Sequence, residues 1–279
     1  MASVDMSSLR GGVSVITGCT RGFGRVLANR LADEGGQLVI SGIDLAESRD
    51  FADELTARGV KAVAAPGDVT QRSEVDGLAQ TALDTFGRLD IWVNNAAYET
   101  PGMGWTLDFD PEIHEQVLRV NALGTYFGSQ AALTAMLERG TGALVNVTGR
   151  GDDMRPTKYS APYGASKAWV RSFTKTLASE YKDSGVRIIG FNPGMMLTER
   201  MSGQHFIGER QDERTLKIFA TVQRVLADPP YVAAESLLHV LAQPATSRRG
   251  KELRLLTPAR VARGLAGEAG RRIRREPAV

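Results

Sequence analysis

Val13-Ser14-Val15-Ile16 runs into Thr17-Gly18-Cys19-Thr20-Arg21-Gly22-Phe23-Gly24, and Arg25-Val26-Leu27-Ala28-Asn29-Arg30-Leu31-Ala32 follows. The first four residues read as a short buried strand, and the last eight carry apolar residues at helical spacing. Between them, Gly18, Gly22 and Gly24 form a strand-to-helix turn. Glycines in such a turn let the backbone approach a pyrophosphate, which then sits on the positive end of the helix. A tight turn without a ligand has the same composition, so the rest of the chain must supply the context.

That context is an alternation. Strand-like runs are expected at Leu38–Ser41, Lys61–Ala65, Ile91–Val93, Ala143–Val147, Arg187–Phe191 and Leu253–Leu256. Amphipathic helical segments are expected at residues 47–58, 73–86, 111–137, 165–182 and 231–241. Strands alternating with helices imply an α/β fold, a doubly wound parallel sheet of about seven strands with helices on both faces. No internal repeat or low-complexity linker divides the chain, so one domain is expected over residues 10–257. Residues 1–9 read as an N-terminal extension and 258–279 as a basic tail. Asp110-Pro111-Glu112 has the composition of a helix start, with a capping acid and a proline at the first helical position.

A second motif carries chemistry. Tyr163-Gly164-Ala165-Ser166-Lys167 places a phenol and an ammonium four residues apart, on one face of a helix. A phenol ordinarily loses its proton near pH ~10, and a nearby cation favours the phenolate. The pair is therefore suited to proton transfer. Alone it is a common pairing on half-exposed helices.

Taken in order, the Thr17–Gly24 turn, Asp68-Val69, Asn94-Asn95-Ala96-Ala97, Asn121, the Tyr163/Lys167 pair and Pro193-Gly194-Met195-Met196-Leu197-Thr198 resemble the short-chain dehydrogenase/reductase family over residues 10–257. The resemblance implies a Rossmann-type NAD(P)-binding fold. It also implies an oxidoreductase that interconverts a small-molecule ketone and a secondary alcohol by hydride transfer. By the same resemblance Tyr163 is the acid and base, Lys167 contacts the ribose and tunes the phenol, and Asn121 holds a water in a proton relay. Gly18, Thr20, Arg21, Gly22, Phe23, Gly24, Asn95 and Ala96 fall in the cofactor-binding segments. Asp68 and Val69 are placed at the adenine, Asn94 beneath the cofactor side of the sheet, Pro193 and Gly194 at the nicotinamide pocket and Thr198 at the carboxamide.

One member of the pattern is missing. The family's catalytic serine aligns with Gly149 in Ala143-Leu144-Val145-Asn146-Val147-Thr148-Gly149-Arg150. Loss of one donor to a developing oxyanion costs ~100- to 1,000-fold in rate. Thr148 or Arg150 is expected to face the substrate in its place, with Trp105 and Met195 as further substrate contacts. The gap leaves an alternative open: an isomerase, dehydratase, cyclase or cofactor-binding regulator on the same fold. Cofactor choice turns on the second strand. The position of the acid that binds ribose hydroxyls in NAD-using members is Gly42, and Arg21 and Ser41 are available to a 2′-phosphate. NADP(H) is favoured over NAD(H).

Composition narrows the remaining classes. The 279 residues carry a net charge of +2, which argues against a generally basic nucleic-acid surface. The single Cys19 cannot form an intrachain disulfide and reads as a small packing residue; no ligand cluster points to a metal. No basic segment followed by an apolar run opens the chain and no run is long enough to span a membrane, so a cytoplasmic protein is expected. Residues 195–224 read as a lid over the substrate. Apolar faces on the fourth and fifth helices predict a homodimer or homotetramer. The arginine-rich tail reads as solvated or subunit-contacting rather than as a nucleic-acid site.

Overall fold

In a computed structural model of the chain, Val13–Ile16 (β1), Gln37–Gly42 (β2), Ala62–Pro66 (β3), Ile91–Asn94 (β4), Gly142–Val147 (β5), Val186–Asn192 (β6) and Glu252–Arg254 (β7) form one sheet. All pairings are parallel, in the order β3-β2-β1-β4-β5-β6-β7. The structure describes residues 5–198, 205–209, 212–243 and 252–273.

Parallel strands need crossover connections, and helices provide them. They are Gly22–Asp33 (α1), Leu45–Ala57 (α2), Arg72–Phe86 (α3), Pro111–Leu118 (α4), Gly124–Arg139 (α5), Ala161–Glu180 (α6), Glu213–Leu226 (α7) and Pro230–Leu241 (α8); Pro258–Ile273 (α9) follows β7. Two apolar layers result. Phe23, Leu27 and Leu31 of α1, Phe51 of α2 and Leu237 of α8 pack on one face of the sheet. Val75 and Leu78 of α3, Ala132 and Met136 of α5 and Leu177 of α6 pack on the other. The strands feed both layers because successive side chains alternate: in β4, Ile91 and Val93 face the first layer and Trp92 the second. Burial of a large apolar side chain such as Trp92 or Phe191 stabilises the fold by roughly 1.5–3 kcal/mol.

The strand order reverses between β1 and β4, and the crevice beyond their carboxyl ends is where open α/β sheets bind ligands. The crossover from β4 to β5 differs from the single helix expected over 111–137. A π-turn, Arg119–Leu123, separates α4 from α5 and carries Asn121. The helix start at Asp110 is as expected, its carboxylate accepting from the Glu112 amide.

Three segments depart from expectation. The N-terminal extension is part of the fold: Leu9 is buried and Ser8 Oγ donates to the Ala242 carbonyl. Residues 1–4 lie outside the described residues. The long connection after β6 contains α7; residues 199–204 and 210–211 of that expected lid lie outside the described residues. The described part of the basic tail forms α9, which packs one side on α7 and leaves residues such as Ala262 and Arg263 exposed. A Cβ on Gly264 would lie 2.9 Å from Leu226 Cδ2 and 3.0 Å from Val225 Cγ1, so glycine permits the close approach. Arg260 pairs with Asp228 and fixes the start of α9. The tail's arginines at 274 and 275 lie outside the described residues.

Candidate active site

A cavity of about 1520 Å³ opens at the switch between β1 and β4. Its first wall is the glycine turn. Gly18 and Gly22 adopt φ of 64° and 56°, a region that other residues enter at a cost. A Cβ on Gly24 would sit 2.6 Å from the Gly18 carbonyl oxygen and 2.9 Å from Cys19 Cα, so only glycine lets α1 start so close to the turn. Asn95 locks the arrangement, its amide donating to the carbonyls of Thr17 (2.9 Å) and Gly18 (3.0 Å). Thr17 Oγ1 accepts from the amides of Asn95 and Ala96, both at 3.0 Å. Open space lies in front of Gly22, where a Cβ would meet nothing within 4 Å. This is a rigid backbone cradle at a helix N-terminus, and it suits a pyrophosphate. Cys19 is fully buried under it; its Sγ accepts from the Ser41 amide, and burial pushes the thiol up to about 12. That is a packing role.

The opposite wall carries Tyr163 and Lys167, one turn apart on α6. Lys167 is almost wholly buried, and its Nζ donates to the Val147 carbonyl at the end of β5 (3.0 Å) and lies 5.6 Å from the centre of the Tyr163 ring. Burial lowers the ammonium from 10.5 to about 8, and the charges of Glu99 and Asp152 oppose that shift. The loop from β5 to α6 is pressed against Tyr163 by two close approaches: a Cβ on Gly151 would lie 2.6 Å from Gly164 Cα, and one on Gly164 would lie 1.7 Å from Thr157 Oγ1.

Gly149 stands beside the phenol. A Cβ there would be 2.8 Å from Tyr163 Oη, so the phenol fills space that a side chain would need. The turn that presents Gly149 is tied down from behind. Asn192 donates to the Gly149 carbonyl (3.2 Å) and to Asp152 (2.9 Å), and Asp152 receives Arg254 at 2.5 Å. Arg171 pairs with Glu252 and donates to the Asp152 carbonyl. Arg150 lines the cavity and donates to the Lys158 carbonyl at 3.2 Å.

Most residues singled out from the sequence line this cavity: Gly18, Thr20, Arg21, Gly22, Phe23, Gly24, Asp68, Val69, Asn95, Ala96, Thr148, Gly149, Arg150, Tyr163, Lys167, Pro193, Gly194, Met195 and Thr198. Three do not. Ser41 is fully buried with its hydroxyl facing Gly67, whose Cβ would lie 1.9 Å from Ser41 Oγ; it is Gly42, the next residue, that faces the cavity. Trp105 lies outside the wall and packs edge-on against Tyr159, ring centres 5.2 Å apart. Asn121 is wholly buried in its π-turn. Its side chain accepts from the Tyr98 amide (2.7 Å) and donates to the Tyr98 carbonyl (3.0 Å) and to Ser166 Oγ (2.9 Å). Ser166 in turn donates to the Tyr163 carbonyl at 2.7 Å. Asn121 thus ties the segment after β4 to the helix of Tyr163 and is not among the residues that line the cavity.

Other wall residues were not singled out. Glu99, Phe219, Arg254, Val261 and Ala262 line the cavity, the last two from α9. A second latch joins the β5–α6 loop to α7: Tyr159 Oη donates to Asp212, the N-cap of α7, at 2.7 Å. Tyr159 has φ 68°, a strained value for a large side chain, and Phe206 packs edge-on against its ring.

Residues 12–205 match the family described as short chain dehydrogenase. The chain belongs to that family. The short-chain dehydrogenase is 32% identical over 239 residues to an uncharacterized oxidoreductase of Staphylococcus aureus (strain USA300), covering 86% of this chain and 94% of the relative. Among solved structures it is similar to a 3-ketoacyl-(acyl-carrier-protein) reductase from Brucella melitensis complexed with NADH. That pair has 28% identity and a TM-score of 0.76, over 88% of this chain and 97% of the other. It is also similar to an alcohol dehydrogenase from the archaeon Thermococcus sibiricus complexed with 5-hydroxy-NADP, at 25% identity and TM-score 0.73, over 88% and 96%. The enzyme is thus an oxidoreductase of the short-chain class.

Proposed function

We propose that this short-chain dehydrogenase interconverts a small-molecule ketone and a secondary alcohol with a nicotinamide dinucleotide, with Tyr163 as the acid and base. The observation that carries this reading is the convergence of Tyr163, Lys167 and the glycine cradle on one cavity. A bound nicotinamide dinucleotide supplies a hydride to the carbonyl carbon and takes one back in the reverse direction. Gly18, Thr20, Arg21, Gly22, Phe23 and Gly24 would hold its phosphates, Asp68 and Val69 its adenine, and Pro193, Gly194 and Thr198 its nicotinamide. Tyr163 Oη gives its proton to the carbonyl oxygen as the alcohol forms. Lys167 holds positive charge beside the phenol, which favours the phenolate left behind. Asn121 acts as a positioning residue through Ser166, and its place beside Tyr98 and Ser166 leaves the expected role of holding a relay water open to the same test.

For the cofactor we favour NADP(H). Gly42 has no room for an acid, because a Cβ there would lie 2.7 Å from Thr20 Cγ2. Asp44 is committed to capping α2, where it accepts from Ala46 (2.7 Å) and Glu47 (3.3 Å). Arg21 lines the cavity with no carboxylate partner among the described residues and is available to a 2′-phosphate. Exposed Leu118, Leu123, Tyr126 and Trp169 on and between α4, α5 and α6 support a homo-oligomer, which light scattering tests directly. Among the described residues no helix is long and apolar enough to cross a membrane.

The test is oxidation of NADPH and NADH across a panel of ketones by the wild type, Tyr163→Phe and Arg21→Ala. Tyr163→Phe is expected to lower turnover by ~100- to 10,000-fold. Arg21→Ala is expected to raise the KM for NADPH and leave that for NADH. Unchanged turnover by Tyr163→Phe rejects the mechanism.

A further inference from the structure

Among the described residues the cavity wall carries five arginines, and they are not equivalent. Arg155 pairs with Asp153, Arg254 with Asp152 and Glu252, and Arg171 with Glu252. Arg21 stands at the dinucleotide cradle. Arg150 stands next to Gly149, beside the phenol of Tyr163. Both acids that follow it in the loop are engaged elsewhere: Asp152 by Arg254 and Asn192, Asp153 by Arg155. Among the described residues Arg150 therefore has no carboxylate partner. Its single hydrogen bond, to the Lys158 carbonyl, holds the head against the wall and leaves other N–H donors of the fork unused. The cavity wall desolvates the guanidinium enough to lower its pKa from the ordinary value, and the nearby Tyr163 opposes that shift. Among the described residues the other charge without an ion-pair partner in this part of the wall is Glu99, which acts electrostatically on Lys167. With those two set against each other, Arg150 is the cation in excess among the described residues.

We propose that Arg150 receives a carboxylate carried by the substrate, so that the carbonyl facing Tyr163 belongs to an oxo acid. Gly149 and Arg150 act together: Gly149 puts no side chain of its own against the phenol, and Arg150 follows it on the same cavity wall, within electrostatic reach of Tyr163. A guanidinium holds a carboxylate through two parallel hydrogen bonds, which a serine hydroxyl cannot do. Met195, Met196 and Phe219 line the same cavity and suit an apolar body on the acid. The chemistry is unchanged. Hydride adds to the carbonyl carbon, the Tyr163 proton to its oxygen, and the carboxylate takes no part in bond making. This inference rests on the reading of Tyr163 as the acid and base, and its test separates the two.

The experiment compares 2-oxo-, 3-oxo- and 4-oxo-octanoate with their methyl esters, using wild type, Arg150→Met and Arg150→Lys. Calorimetry of octanoate binding to the NADP-loaded protein gives a readout free of turnover. For at least one positional isomer the acid is expected to exceed its ester ~10- to 100-fold in kcat/KM, the range of a charge-assisted hydrogen-bond pair. Arg150→Met should bring that ratio to about one and weaken octanoate to match, and Arg150→Lys should restore part of both. An acid-to-ester ratio near one in wild type, or one that Arg150→Met leaves intact, overturns the proposal. If no ketone is reduced but octanoate binds in an Arg150-dependent way, the anion site stands and the reading of Tyr163 falls. If octanoate does not bind and no acid is preferred, the anion site falls.

Discussion

Gly24 and Gly149 stand at opposite ends of one cavity, and each lacks a Cβ for a different reason. At Gly24 the space is taken mostly by backbone, the Gly18 carbonyl oxygen at 2.6 Å and Cys19 Cα at 2.9 Å, together with the Asn95 side-chain nitrogen at 2.6 Å that is hydrogen-bonded to that backbone. At Gly149 it is taken by the far end of a side chain, Tyr163 Oη at 2.8 Å, with the next atoms at 3.6 Å. The cofactor end is thus shaped chiefly by the main chain of one local turn, Thr17 to Gly24, braced by Asn95. The substrate end is shaped by side chains that several segments bring together: the β4–α4 and β5–α6 loops, α6, α7 and α9. A backbone cradle serves a ligand that is the same in every turnover; a side-chain wall can differ from one enzyme of the family to another without disturbing the fold.

Charge sharpens the contrast. The substrate end buries a cation, Lys167, whose pKa lies near 8, whereas Arg21 at the cofactor end is exposed. In the unfolded chain Lys167 titrates near its ordinary 10.5. Between these values the unfolded state binds more protons, so the apoprotein gains stability as pH rises from about 8 toward 10.5. The gain is lost as pH falls through 8. A shift of this size corresponds to about 3 kcal/mol, to order of magnitude. Urea unfolding of wild type and Lys167→Met at pH 7.5 and pH 10 measures it: the wild type should gain on the variant by that order. A difference independent of pH would mean that the buried ammonium is not desolvated as the geometry requires.

The next prediction breaks the comparison at its rigid end. Gly24→Ala forces a Cβ against the Gly18 carbonyl oxygen, Cys19 Cα and the Asn95 amide that holds the turn. Overpacking against such a site costs ~1–3 kcal/mol. Because the strain falls on the turn that cradles the phosphates, affinity for the dinucleotide should fall ~10-fold or more, together with the melting temperature. Fluorescence titration with NADPH and a thermal melt check both. Full cofactor affinity in a folded variant would show that the turn has slack, and the distinction drawn between the two ends would fail.

The same contrast explains what was legible in the sequence. β1, the glycine turn and α1 were read correctly because strand period, glycine placement and helix period are local signals. The Tyr163/Lys167 pair was legible for the same reason, being one helical turn. Ser41 was misassigned although its strand was right, since one residue's difference at a strand end moves a side chain to the other face. The π-turn at Arg119–Leu123 depends on Asn121 reaching Tyr98 and Ser166, contacts 23 and 45 residues away in sequence. Trp105 was assigned to the substrate by its position in a loop, yet its neighbour Tyr159 comes from another loop. The α9 wall depends on Gly264 seating a C-terminal helix on α7, and charge composition made that segment look solvated. Where remote segments meet, local pattern carries no signal.

The smallest effect is expected where the comparison places it, at Gly149. In Gly149→Ser the new Cβ meets a phenol oxygen that can yield by a few tenths of an ångström through its side-chain torsions, not a carbonyl fixed in a turn. The cost should stay below about 1 kcal/mol, under the usual range for overpacking a fixed site. Melting temperature should therefore fall less than in Gly24→Ala. The added hydroxyl is also a donor placed where negative charge develops during carbonyl reduction, an interaction that can be worth ~100-fold or more when it is preorganised. In this enzyme the phenol must first move aside, so only part of that gain should appear, as a rise in kcat with neutral ketones. Thermal melts and steady-state kinetics of the two glycine variants, measured side by side, decide the matter. A melting-temperature loss in Gly149→Ser equal to that of Gly24→Ala would show that Tyr163 is held as rigidly as the backbone cradle. The substrate end would then owe its shape to a locked phenol rather than to an adaptable wall.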